Sequence, residues 1–222
     1  MKKKKNIYSS IDFEAAKQEK ERQELEAAQS FLSMIRQEAL SGVNLREKVR
    51  AKHLFQDLTG MDVDQGTDAV YEHFLYWLML DYVTVVGSRP LDLFVRREQH
   101  AMTSAELGAA GLFMLMRLEP YFVTESHNGV CYAQCWEDSR KYKLSGLKKP
   151  LTASENSWIL CRTTIIGTER RAAGPMIQLA EAEEKRFLET LENQWNMGEK
   201  SYQRYMKEAG VAFLTMSQVD RP

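Results

Sequence analysis

The chain has 222 residues, 44% hydrophobic and 10% aromatic, enough for one large domain or two small ones with a buried core. Its 30 Lys and Arg against 31 Asp and Glu leave no global field to attract nucleic acid, a membrane surface or a strongly charged substrate, so any such signal must be local. Three cysteines, with no secretory apolar segment after "MKKKK", point to a reducing cytoplasmic setting, and no run reaches the roughly 20 apolar residues of a membrane span.

Residues 11–40 are rich in helix formers and lack Gly and Pro, which predicts one long helix capped by Ser9 or Ser10. Its first half is almost wholly charged, and an apolar stripe of Phe31, Leu32, Ile35 and Leu40 follows only later. The pattern predicts that residues 1–44 form a projecting arm, with Phe31, Leu32 and Ile35 as a candidate grip on a partner helix. "SGVN" at 41–44 breaks the helix, and a second follows with Leu45, Val49, Leu54 and Leu58 as its apolar positions before Gly60 closes it.

"MDVDQGTD" reads as a loop with Thr67 or Asp68 as cap, leading into "YEHFLYWLMLDYV" at 71–83. At about 100° per residue, Glu72 and Asp81 fall on opposite sides of that helix, so no polar stripe exists and the helix is expected to be surrounded. It becomes the central post, with Phe74 and Trp77 as core mass. Asp81, at the wrong end of a helix for its dipole, needs a partner, and Arg89 or a backbone N–H of the next helix is nearest in sequence. Pro90 suits the first position of that helix, "PLDLFVRREQ". "TSAELGAAGLFMLMRLEP" predicts another, capped by Thr103 or Ser104 and ending at Pro120, so residues 45–120 form a helical body.

From Tyr121 the pattern alternates aromatic or β-branched residues with polar ones and is cut by Asn128-Gly129 and Asp138-Ser139, which are hairpin signals. A small antiparallel, barrel-like β-unit of four or five strands is expected at 121–174, inserted before C-terminal helices at 175–222. The last of these, about 199–216, carries Tyr202, Tyr205, Met206 and Phe213. The fold class is α+β.

His127, Cys131, Cys135 and Cys161 raise the question of zinc. On one strand Cys131 and Cys135 would stand roughly 13 Å apart, too far for two ligands at about 2.3 Å from one metal, so buried thiols are expected, with no metal and no cofactor. No G-x-S-x-G elbow, phosphate-binding loop, H-E-x-x-H or G-x-G-x-x-G is present, and no catalytic residue is assigned. The basic residues say more. Residues 121–180 hold eight Lys or Arg against five Asp or Glu, and Tyr132, Trp136, Tyr142 and Trp158 are interleaved with them. Small barrels that show cations and aromatic faces together can hold single strands, so Arg140, Lys141, Tyr142, Lys143, Lys148, Lys149, Arg170 and Arg171 form a candidate nucleic-acid surface. The competing reading is a solvated surface of charged loops.

Phe74, Trp77 and Asp81 in the spacing F-x-x-W-x-x-x-D, followed by "GSRPLDLF", resemble the helical module that precedes the zinc-binding SEC-C motif in a group of poorly characterised bacterial proteins. The likeness runs over roughly residues 55–190 and includes the capped helix at "TSAELG" and Arg162 in "WILCRT". It implies structural roles for Phe74, Trp77, Asp81, Arg89, Pro90 and Arg162 in a cytoplasmic bacterial protein, and no enzyme activity. Arg89 replaces the family's usual Thr, Asn156-Ser157 replaces its Gly-Asp turn, and the cysteine-rich tail is absent, so zinc binding does not carry over.

The expected function is a non-enzymatic binding or adaptor protein acting on RNA, DNA or a ribonucleoprotein such as the ribosome. The alternative is a regulator that grips a partner protein through the N-terminal helix. A third reading is an enzyme with a cryptic pocket built from Asp81, Glu72, His73 and Arg162.

Overall fold

A computed structural model describes residues 13–218; the lysine tail and the Ser9 or Ser10 cap lie outside the described residues. The chain folds as α+β. Five helices come first: α1 (Phe13–Gln37, extended by a π turn at Glu38–Gly42), α2 (Leu45–Thr59), α3 (Asp68–Leu80), α4 (Pro90–Glu98) and α5 (Ser104–Leu115). Five strands follow: β1 (Leu118–His127), β2 (Val130–Cys135), β3 (Lys141–Gly146), β4 (Ser157–Ile166) and β5 (Glu169–Gln178). Helices α6 (Glu184–Asn196) and α7 (Glu199–Glu208) and a 3-10 turn at Gly210–Met216 complete it.

The helix boundaries obey local chemistry. Asn44 caps α2 by accepting from the Arg46 N–H at 2.8 Å, and Gly60, at φ +67°, ends it in the left-handed conformation that favours glycine. Thr103 and Glu106 form a reciprocal capping box at the start of α5, and Pro90 takes the first turn of α4. No helix among the described residues is long and apolar enough to cross a membrane.

The strands pair in the order β1-β2-β3-β5-β4 and close back on β1. Four pairings are antiparallel; the fifth, between β3 and β5, is parallel and seals the barrel. The two hairpin signals hold: Asn128 and Gly129 both take positive φ at the β1–β2 turn, as does Ser139 before β3. Two expected boundaries are corrected. Pro120 does not end a helix but sits inside β1, where its carbonyl accepts from the Trp136 N–H at 3.0 Å. Likewise Pro175 lies inside β5, beside Gly174 at φ +82° and a register shift against β4, so the strand runs to Gln178 and helix begins only with a 3-10 turn at Glu181–Glu183 that leads into α6.

Two apolar cores share the barrel wall. The inner one, filled by Tyr121, Val123, Cys131, Ala133, Cys135, Leu144, Ile159, Cys161 and Ala172, holds all three thiols buried and unbonded to one another. The outer one gathers the helices around α3, with Phe74 and Trp77 at its centre and the outward side chains of Leu118, Leu160, Ala173 and Ile177 joining from the strands. Phe74 and Trp77 pack edgewise on Phe55, and the Trp77 indole donates to the Glu208 carbonyl at 3.2 Å.

Two apolar stripes face differently from expectation. Leu45, Val49 and Leu54 of α2 are exposed, because Ala51 and Phe55 turn inward instead. Phe31, Leu32 and Ile35 are buried within this chain: Phe31 meets Phe113 edge-on at 5.5 Å and Phe94 at 6.3 Å. The stripe is therefore not offered to a partner, and only the first turns of α1 stand exposed. Apolar periodicity marks a face that must be covered, and here α5 and α4 cover it.

Candidate nucleic-acid interface

The helices do not clothe the barrel evenly. On β4 nearly every side chain is buried on both faces, whereas β2 and β3 alternate between buried and open positions. Trp158 on β4 packs against Phe187 of α6 and donates its indole N–H to Glu184 at 3.0 Å. Just after β2, Trp136 stacks on Tyr202 of α7 and meets Trp195 edge-on. The outer face of β2–β3 is left open.

Register decides what that face presents. Cys131 pairs with Leu144 and Ala133 with Tyr142, so these point inward; Tyr132 pairs with Lys143 and Gln134 with Lys141, so these point out. Tyr132 is 39% exposed, with His127 packed at 5.6 Å between ring centroids, and Lys141 and Lys143 stand on the same side of the hairpin, while Arg140 is exposed at its turn, opposite Cys135. Lys143 reaches Glu169 at 3.5 Å in a loose, exposed pair, and Glu125 lies across from Tyr132 on β1.

The sequence-predicted basic set therefore splits. Lys141 and Lys143 belong to the open face, and Arg140 lies exposed at the turn before it. Arg170 turns into the barrel mouth, where its Nη1 donates to the Tyr121 hydroxyl at 2.8 Å, to Thr163 at 3.0 Å and to Glu119 at 3.2 Å. Tyr142 goes with it, its ring 4.2 Å beneath the Arg170 guanidinium and its hydroxyl donating to Asp138 at 2.5 Å, so it is no stacking platform. Arg171 is tied to Glu169 at 2.5 Å. Lys148 and Lys149 leave the barrel surface for a cleft against α1 and α3. Tyr132, which the basic set omits, is the exposed aromatic of the face; alternation with the small inward residues Cys131, Ala133 and Cys135 is the signal that marks it.

The structural residues form a second constellation, at the junction of barrel and helices. Arg162 points outward from β4 and binds Asp81 at the end of α3 in an ion pair with both side chains 1% exposed. This corrects the expected partner: Arg89 supplies only a distant charge, while its backbone N–H caps α4 by donating to Asp92. Burial raises the Asp81 carboxyl above its ordinary range, against the pull of Arg162. Asp81 Oδ1 and Arg162 Nε and Nη1 have no hydrogen-bond partner among the described residues. Nearby Lys207, lowered to about 8 by burial, donates to the carbonyls of Met114 at 2.7 Å and Met116 at 2.6 Å.

His73 is buried beside this pair, and desolvation, helped by the Arg162 charge, lowers it to about 3. The unfolded chain protonates this histidine below about pH 6.5 while the fold does not until about 3, so its stabilising contribution is present above 6.5 and is lost as pH falls between the two values. The His73 contribution to the slope approaches about 1.4 kcal/mol per pH unit in that window. Urea titrations at several pH values are expected to show a shallower acid loss for His73→Gln than for the parent chain, and identical slopes would refute it.

Arg162 thus acts on both Asp81 and His73, and Glu72 is elsewhere, paired with Arg36 at 2.5 Å. The four residues of the cryptic-pocket reading do not converge on one cavity. Among the described residues no cluster of His, Cys, Asp and Glu is placed to hold a metal ion. Compared with protein-family models, with curated proteins and with solved structures, the chain matches none.

Proposed function

We propose that this protein is a non-enzymatic binding protein that holds single-stranded nucleic acid, free or within a nucleoprotein, on the open face of β2–β3. One observation carries the reading: the face of the barrel that the helices leave uncovered is the one presenting Tyr132 beside Lys143 and Lys141. Five-stranded Greek-key barrels of the oligonucleotide-binding kind use the face of strands 2 and 3 for this purpose. An exposed ring offers base stacking of about 1–3 kcal/mol per base, and the flanking cations offer phosphate contacts. The likeness of the helical segment to the module preceding the SEC-C motif adds no activity to this reading and conflicts with none of it.

Fluorescence anisotropy with short labelled RNA and DNA strands tests it. Two phosphate contacts give a log–log salt slope near −1.4, so affinity is expected to fall roughly sevenfold between about 50 and 200 mM salt. Lys141→Glu with Lys143→Glu is expected to weaken binding at least tenfold, Tyr132→Ala by roughly 5- to 150-fold, and Glu125→Gln to strengthen it. Absence of binding at the lower salt, or binding indifferent to these changes, would sink the proposal.

A further inference from the structure

Between the barrel and the helices lies a cavity of about 550 Å³, within the size range of small-molecule sites. One wall is α1 and α3, through Leu32, Arg36, Glu72 and Tyr76; the other is the β3–β4 loop and β5, through Lys148, Lys149, Pro150, Leu151 and Met176. Two close approaches fix these walls. A Cβ on Gly146 would lie 1.6 Å from the Lys149 carbonyl oxygen, so the loop folds tightly back on its strand. A Cβ on Gly174 would lie 2.4 Å from the Tyr76 ring, so that ring is held against β5 backbone. Gln29 pins the loop from the other side by donating to the Leu147 carbonyl at 2.7 Å.

The lining is unbalanced in charge. Arg36, Lys148 and Lys149 face a single carboxylate, Glu72, which Arg36 already neutralises at 2.5 Å. Lys148 gives one of its three N–H bonds to Ser33, leaving two, and Lys149 is exposed with no ion pair among the described residues. Lys148 and Lys149, both exposed, thus line the cleft together with an apolar floor of Leu32, Leu151, Pro150 and Met176.

We infer that this cleft is a binding site for a small organic anion, with a phosphate or carboxylate head for Lys148 and Lys149 and an apolar body for the floor. The site is separate from the β2–β3 face. Lys141 begins β3 and Gly146 ends it, five residues or roughly 17 Å apart, and the cleft lies beyond the latter end. The inference does not rest on nucleic-acid binding.

Calorimetric titration of the full chain with adenosine 5′-monophosphate, decanoate, adenosine and inorganic phosphate separates the possibilities. Adenosine 5′-monophosphate or decanoate is expected to bind, with adenosine and inorganic phosphate each at least tenfold weaker. Lys149→Glu and Thr152→Trp, both at exposed rim positions that leave the core intact, are each expected to weaken that binding at least tenfold, while Lys141→Glu leaves it unchanged. Binding of none of the four probes, binding of inorganic phosphate alone, or an affinity that survives Lys149→Glu overturns the inference. None of these results bears on the oligonucleotide measurements, so the two readings fail separately.

Discussion

Replacing Arg162 by methionine is expected to destabilise the fold by roughly 3–5 kcal/mol, because it leaves the Asp81 carboxylate buried without its counter-ion. Asp81→Leu alone is expected to cost about as much, for it strands the guanidinium in the same way. The double replacement should recover most of the loss, and on some measures exceed the parent, since two apolar side chains avoid the desolvation of two ions. Urea unfolding of all four proteins gives the coupling energy directly. Additive losses would show that the pair is not what joins barrel to helices; a large coupling with a stable double variant would show that it directs assembly more than it adds stability.

Truncating Phe31 to alanine is expected to cost about 3–5 kcal/mol, since its ring is fully buried between Phe94 and Phe113. Were the stripe a docking patch on a free arm, the same change would leave stability within about 0.5 kcal/mol and abolish only an interaction. Thermal or urea unfolding of the purified chain therefore distinguishes the two without any partner in hand. Removing residues 1–40, by the same argument, takes Ala28, Phe31, Leu32 and Ile35 out of the core and should unfold the helical body.

What was legible in the sequence followed from chemistry that acts within a few residues. Thr103 and Glu106 mark the start of α5, Pro90 that of α4, Gly60 the end of α2, and Asn128-Gly129 the first hairpin, because a cap or a positive φ needs a particular residue at a particular place. The density of apolar residues around Phe74 and Trp77 likewise fixed α3 as the central helix. What was not legible depends on distant pieces of chain. Asp81 announced its need for a partner, but nothing near it in sequence indicates that a residue of β4 supplies it. Periodicity showed that Phe31 must be covered without saying by what. The basic cluster read as one surface because its members are close in sequence, yet strand parity and ion pairing send Arg170 into the barrel mouth and Lys148 and Lys149 into the cleft. Pro120 and Pro175 read as breaks, although proline is accepted in a strand where the ladder is locally irregular or its missing N–H is not needed.

The Asp81–Arg162 pair also sets a timetable for synthesis. The two residues are 81 positions apart, so at about 5–20 residues per second the ribosome delivers the arginine roughly 4–16 s after the aspartate. For that interval α3, made early and largely apolar, has neither its counter-ion nor the β5 backbone against which Tyr76 and His73 pack. Sealing of the barrel waits longer still, for β5 to reach β3. Until β4 and β5 emerge, the nascent helical half therefore lacks the partners that complete its burial.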